Sequence, residues 1–119
     1  MAMLKTYRIV LTTTSVAHNL VSGTTASSTG PYTHEDVGHS MTIQNQSTGA
    51  FDMWVGVQGV VVGAAAASTS TGPFGIKVAQ NGSYLLDGSI SSRGVNAHGV
   101  WIVSTSSLAI AVGQLHKHV

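Results

Sequence analysis

Two histidines and two carboxylates lie together in one short stretch, and side chains of these types bind divalent metals. They are His34, Glu35, Asp36 and His39. Imidazole and carboxylate together suit a divalent ion, but the spacing matches no zinc finger and the chain has no cysteine. We therefore predict no metal site and no cofactor, and keep His34 and His39 as candidate ligands only. The alternative is that they are exposed loop histidines.

Residues for acid–base or nucleophilic catalysis are scarce. The carboxylates are Glu35, Asp36, Asp52 and Asp87. A glycosidase needs two of them across a cleft, and Asp87 stands in an Asp-Gly turn pair. The sequence also lacks a G-x-S-x-G nucleophile motif and a phosphate-binding loop. We predict that the protein is not an enzyme.

Composition indicates a subunit that contacts other protein. Charged residues make up 8% of the 119 residues, with net charge +1, against about 25% in a typical soluble domain. A hydrophobic content of 43% argues against disorder. The apolar runs are too short for a membrane helix or a signal peptide, and the five basic residues are too scattered for a nucleic-acid footprint. We therefore expect neither membrane nor nucleic acid as a partner.

Small polar residues take the place of the missing charge. The chain has 15 Ser, 13 Thr and 14 Gly. Hydroxyl groups can be wetted or buried at less cost than a charge, which suits a subunit that is first soluble and later assembled.

Short strands with period-2 alternation recur along the chain and no convincing helix does. In the first strand, Ile9 and Leu11 share one face with Tyr7. Asn81-Gly82 predicts a type I′ hairpin between two strands. The predicted strands cover residues 7–12, 40–45, 51–57, 59–63, 74–79, 83–86, 100–104 and 108–112.

These elements predict a single all-β domain over residues 1–119, an antiparallel two-sheet sandwich in which a jelly roll is one arrangement. Residues 40–113 form its most regular part, whereas residues 1–39 include an N-terminal arm or strand and an irregular loop. We expect segments 22–40 and 64–73 to project as contact loops, or else as flexible surface loops. The predicted core comprises Ile9, Leu11, Ile43, Val55, Val61, Ile76, Val78, Leu86, Ile102 and Ile110.

A resemblance covers about residues 40–113. It rests on the stretches Ser40-Met41-Thr42-Ile43-Gln44-Asn45, Met53-Trp54-Val55-Gly56, Val60-Val61, Gly82-Ser83-Tyr84-Leu85-Leu86-Asp87-Gly88, Val100-Trp101-Ile102-Val103-Ser104 and Leu108-Ala109-Ile110-Ala111-Val112. This pattern resembles small β-rich virion proteins of tailed bacteriophages.

The resemblance implies a capsid decoration (cement) protein, made in the host cytoplasm and bound to the capsid exterior. Its partners would be the major capsid protein and copies of itself, with a trimer favoured. The candidate interface residues are Tyr7, Ile9, Phe51, Trp54, Phe74 and Trp101. Two alternatives remain open: a low-copy tail, neck or head-fibre component, or a carbohydrate-binding β-sandwich in which Trp54 or Trp101 stacks on a sugar.

Overall fold

Ten strands and one 3₁₀ turn make up the regular structure of the computed structural model, which describes residues 2–25, 37–57, 59–62, 75–87 and 94–118. The strands are β1 (Ala2–Val10), β2 (His18–Asn19), β3 (Val37–Gly38), β4 (Ser40–Asn45), β5 (Met53–Gly56), β6 (Ile76–Val78), β7 (Ser83–Asp87), β8 (Val95–Asn96), β9 (Trp101–Ser104) and β10 (Ile110–His118), with the 3₁₀ turn at Ala97–Gly99. The all-β prediction is confirmed. In the part of the chain described here, no helix is long and apolar enough to cross a membrane.

The strands form two four-stranded antiparallel sheets and one small two-stranded sheet. Sheet A has the order β1-β10-β4-β7, sheet B has the order β2-β9-β5-β6, and β3 pairs with β8. The pairing is nested: the first strand pairs with the last, the second with the ninth, and so on inward to β5 with β6. The chain is thus one long antiparallel ribbon that coils until β10 also pairs with β4 and β9 with β5.

The main core lies between the two sheets. Sheet A contributes Ile9, Ile43 and Leu115, and sheet B contributes Val55 and Ile102. Burying side chains of this size stabilises the fold by roughly 1.5–3 kcal/mol each. Six of the ten predicted core residues are buried, namely Ile9, Leu11, Ile43, Val55, Val78 and Ile102.

A second, smaller core covers the other face of sheet B. Trp54, Trp101 and Val103 point away from the main core, and Ala17 and Val60 cover them. Sheet B is therefore packed on both faces, which leaves the outer face of sheet A as the broad sheet surface among the described residues.

Several local predictions are wrong. Asn81-Gly82 does not close a hairpin, because β6 belongs to sheet B and β7 to sheet A. Of these two residues, Asn81 has a positive φ, of 64°, and Gly82 does not. The turn connects sheet B to sheet A. Residues 59–62 form no extended strand, and Val60 instead packs over the tryptophans. Ile76, a predicted core residue, lies on the edge strand β6 and is 48% exposed.

The inward face of β10 is the one with small side chains. Ala109, Ala111 and Leu115 are buried, whereas Ile110 is only half-buried and lies on the outer face. A Cβ at Gly113 would lie 2.6 Å from Met41 Cε and 2.8 Å from Leu20 Cδ2. The absence of a side chain at Gly113 therefore leaves space that the side chains of Met41 and Leu20 occupy.

Candidate partner-binding face

The outer face of sheet A is built by strand alternation. Because successive side chains of a strand point to opposite sides, alternate residues of β1, β10, β4 and β7 face away from the core. The antiparallel register aligns them in cross-strand rows. The rows are Arg8, Val112, Gln44 and Ser83; Thr6, Gln114, Thr42 and Leu85; and Leu4, His116, Ser40 and Asp87.

Formal charge on this face is confined to its two edge strands. Arg8 lies on β1 at one edge and Asp87 on β7 at the other. Where side chains are described, the two central strands present amides, hydroxyls, the imidazole of His116 and aliphatic groups. Leu4 is 57% exposed and Leu85 is 54% exposed. Neutral polar and apolar groups of this kind can be buried against another surface without desolvating an ion.

A shallow polar hollow of about 170 Å³ lies in the middle of this face. The Nε2 of Gln46 donates to the Oε1 of Gln44 at 2.5 Å, which orients both amides. Amide groups carry both donors and acceptors, so the hollow can bind either kind of polar partner. Its walls are Thr42, Gln44, Gln46, Ser83, Val112 and Gln114.

Three of the six predicted interface residues are turned inward. Trp54 is 8% exposed and Trp101 is 2% exposed, both in the second core, and Ile9 belongs to the main core. A side chain this buried offers a partner little surface, so Ile9, Trp54 and Trp101 do not serve as surface anchors in this conformation. The geometry also leaves neither tryptophan ring open for stacking on a sugar.

The other predicted anchors are less buried. Tyr7 and Phe51 are half-buried and pack against the main core. The Lys5 ammonium lies 5.5 Å from the centre of the Tyr7 ring, within the range of a cation–π contact. Phe74 lies outside the described residues, as do segment 64–73 and most of segment 22–40. The structure therefore does not gather the six predicted residues into one patch.

A cavity of about 260 Å³, partly open to solvent, lies beside Trp101 and is bordered by Ala17 and Val60 of the second core. Its lining includes Val16, Val60 and the hydroxyl residues Ser15 and Thr25. The indole Nε1 of Trp101 is buried and has no hydrogen-bond partner, the single such side-chain atom in the described ranges. Buried indole N–H groups usually find an acceptor, and this cavity is large enough for a water to supply one.

Of the four predicted metal candidates, His39 lies within the described residues. His34, Glu35 and Asp36 lie outside the described residues. Among residues whose positions are described, no three histidine or carboxylate side chains gather as metal ligands. The ring of His39 instead lies beside that of His116, with 6.1 Å between the ring centres. Sequence reasoning missed this pair, because its two members are 77 positions apart.

The two carboxylates within the described residues, Asp52 and Asp87, belong to different parts of the sandwich. Asp52 directly precedes β5 of sheet B, and its Oδ2 lies 3.4 Å from the Lys77 ammonium. Asp87 ends β7 of sheet A. Asp52 thus forms a surface ion pair, a type worth at most about 1 kcal/mol.

Comparison with known proteins adds no relative. The sequence matches no protein-family model and shows no significant similarity to a curated protein or to a solved structure.

Proposed function

We propose that this protein is a non-enzymatic structural subunit that buries the outer face of sheet A against another protein. In the specific form that we favour, it is a decoration protein on a bacteriophage capsid, and its partner is the major capsid protein. The observation that carries the proposal is the neutral centre of this face. The fully buried cores of protein interfaces are depleted of charge, because an unpaired buried ion costs several kcal/mol.

The strand order supports the jelly-roll form of the sandwich. A jelly roll results when a nested antiparallel ribbon coils into two four-stranded sheets, and orders β1-β10-β4-β7 and β2-β9-β5-β6 fit that winding. Viral capsid domains and lectin domains both use this architecture. Because a fold alone does not assign a function, the virion setting rests on the sequence resemblance.

Self-association through the edges of sheet A accompanies this role. The edge strand β1 carries Lys5 and Arg8, and the opposite edge strand β7 carries Asp87. A head-to-tail contact between β1 of one copy and β7 of the next would bring opposite charges together. Repeating one heterologous contact gives a ring when its rotation closes and an open filament when it does not, and we propose the closed form with three copies.

The test of the capsid role is the copy number of the chain in gradient-purified particles from its source. A ratio to the major capsid protein that is near one, or near one to a small integer, supports decoration. A few to a few dozen copies per particle would indicate a component of the tail, the neck or a head fibre instead. Absence from the particles would refute all of these virion roles.

Carbohydrate binding is the second candidate, and the polar hollow is the observation that favours it. Its three glutamines and two hydroxyl residues could hydrogen-bond the hydroxyls of a sugar. A glycan array probes this function directly. Binding that disappears in Gln44→Ala and Gln114→Ala but persists in Trp54→Phe would support the hollow as the site. Absence of any glycan signal would remove this candidate.

A further inference from the structure

We propose that His39 and His116 form a binding site for a divalent transition-metal ion of the Zn²⁺ type. The two side chains come from segments 77 positions apart in the sequence that meet at one end of sheet A. Their ring centres are 6.1 Å apart and the ring planes are inclined by 61°. His39 is exposed and His116 is half-buried, so solvent and ions reach the pair.

The backbone fixes the spacing of the two imidazoles. The N–H of His39 donates to the carbonyl of His116 at 2.9 Å. The neighbouring residue, Gly38, presses against the same carbonyl so closely that a Cβ would collide with it. The two main chains therefore meet at a defined distance, and a metal ion needs only rotation of the side chains.

The observed ring separation is close to that of a bound pair. Zinc–nitrogen bonds are about 2.0–2.1 Å long, so two imidazoles on one tetrahedral ion have ring centres about 5 Å apart. Closing the remaining gap of about 1 Å requires a modest change in side-chain torsions. Imidazole nitrogen suits Zn²⁺, Cu²⁺ and Ni²⁺ rather than Mg²⁺ or Ca²⁺, which prefer oxygen ligands. Water would complete the coordination.

The surrounding groups suit a cation. On the outer face, Ser40 lies directly across from His116, and Asp87 lies across from Ser40 on the next strand. The register assigns Lys117, the nearest basic residue in sequence, to the opposite face of β10. A metal ion at the pair would fasten the β3–β4 segment to β10.

Calorimetric titration of the full chain with Zn²⁺ alone tests the site. We expect saturable one-to-one binding to the wild type, retained by His98→Gln, in which a half-buried histidine on the 3₁₀ turn is changed. The variants His39→Gln and His116→Gln should each lose it. Absence of saturable binding to the wild type, or wild-type affinity in either single variant, would overturn the proposal.

A second measurement guards against a variant that does not fold. On adding Zn²⁺ to the wild type, the amide NMR signals that shift should be those of residues 37–40 and 114–118. Shifts centred elsewhere would refute the site even if the calorimetric signal were present. Neither readout involves capsid or glycan binding, so these experiments test the metal site independently of the proposed function.

Discussion

The side-chain nitrogen of Asn45 donates to the backbone carbonyl of Val78 at 3.0 Å, and this bond joins sheet A to sheet B. The same nitrogen donates to the carbonyl of Phe51 at 2.7 Å. The side-chain oxygen of Asn45 accepts from the N–H and the hydroxyl of Ser47 at 3.1 and 2.6 Å. That hydroxyl in turn accepts the N–H of Ile110 at 3.0 Å. One fully buried carboxamide therefore connects three strands and a loop.

Replacing Asn45 by Ala should lower the free energy of unfolding by about 3 kcal/mol. The change leaves the carbonyls of Phe51 and Val78 and the N–H of Ser47 without their hydrogen-bond partner. A buried polar group without a partner costs about 1–3 kcal/mol. Urea denaturation measures the loss. The neighbouring exposed substitution Gln46→Ala should stay within about 0.5 kcal/mol of wild type. Equal stability of the two variants would contradict the role given to Asn45.

His18 should occupy a single neutral tautomer with its proton on Nδ1. Its Nε2 accepts the backbone N–H of Thr12 at 3.1 Å, so that nitrogen must carry the lone pair. The Nδ1 then donates to the carbonyl of Val16 at 2.8 Å. Long-range ¹H–¹⁵N correlation spectra distinguish the tautomers, and a proton found on Nε2 would contradict the assignment.

The same two bonds predict a stability effect. His18→Ala should cost about 2 kcal/mol, because it removes a buried side chain that holds residues 12–18 in place. The exposed substitution Thr13→Ala in the same segment should cost less than about 0.5 kcal/mol. Thermal or urea unfolding measures the stability of both variants. If His18→Ala is as stable as the wild type, the His18 side chain does not hold this segment in place.

Two strand glycines should respond differently to an added methyl group. A Cβ at Gly38 would collide with the backbone of His116, whereas at Gly113 it meets the flexible ends of Met41 and Leu20. Backbone cannot yield as a side chain can, so Gly38→Ala should cost about 2 kcal/mol or more and Gly113→Ala about 1 kcal/mol. The control is Gly99→Ala, where a Cβ meets nothing within 4 Å. Reversal of the order would show that the β3–β10 contact is looser than described.

A charge placed on the outer face of sheet A should abolish partner binding. Leu85 is 54% exposed there, and Val57 is similarly exposed at 59% but directly follows β5 of sheet B. We expect Leu85→Glu to lose binding to particles that lack the chain, because burying the new carboxylate would cost several kcal/mol. Val57→Glu should bind normally. Equal binding of both variants in a co-sedimentation assay would exclude this face.

Strand positions were predictable where alternation was regular. Residues 40–45 match β4 in full, and β7 and β9 each differ from their predicted bounds by one residue. The two-residue strands β2, β3 and β8 were missed, because such short elements carry no periodic signal and depend on partners distant in sequence. β10 extends well past residue 112, where the predicted strand ended. The prediction stopped there because Gly113 and the polar residues after it interrupt the hydrophobic pattern.

The candidate partner-binding face was harder to predict than the fold. Aromatic residues were predicted to lie at the interface because they are enriched at protein interfaces. Trp54 and Trp101 instead pack inside the second core. The residues that do form the outer face, such as Gln44, Thr42 and Gln114, carry no individual signal of binding. They become recognisable only when the register aligns three strands.

The nested ribbon sets the order in which this protein can fold during synthesis. Ala2 pairs with His118, and the whole of β1 pairs with β10, so β1 cannot form this pairing until β10 has left the ribosome. The local pair β5–β6 can form much earlier. Contacts between segments so far apart in sequence slow folding, and an exposed strand edge invites pairing with other chains in the meantime. Lys5 and Arg8 on β1 would repel the same strand of a second nascent chain during that delay.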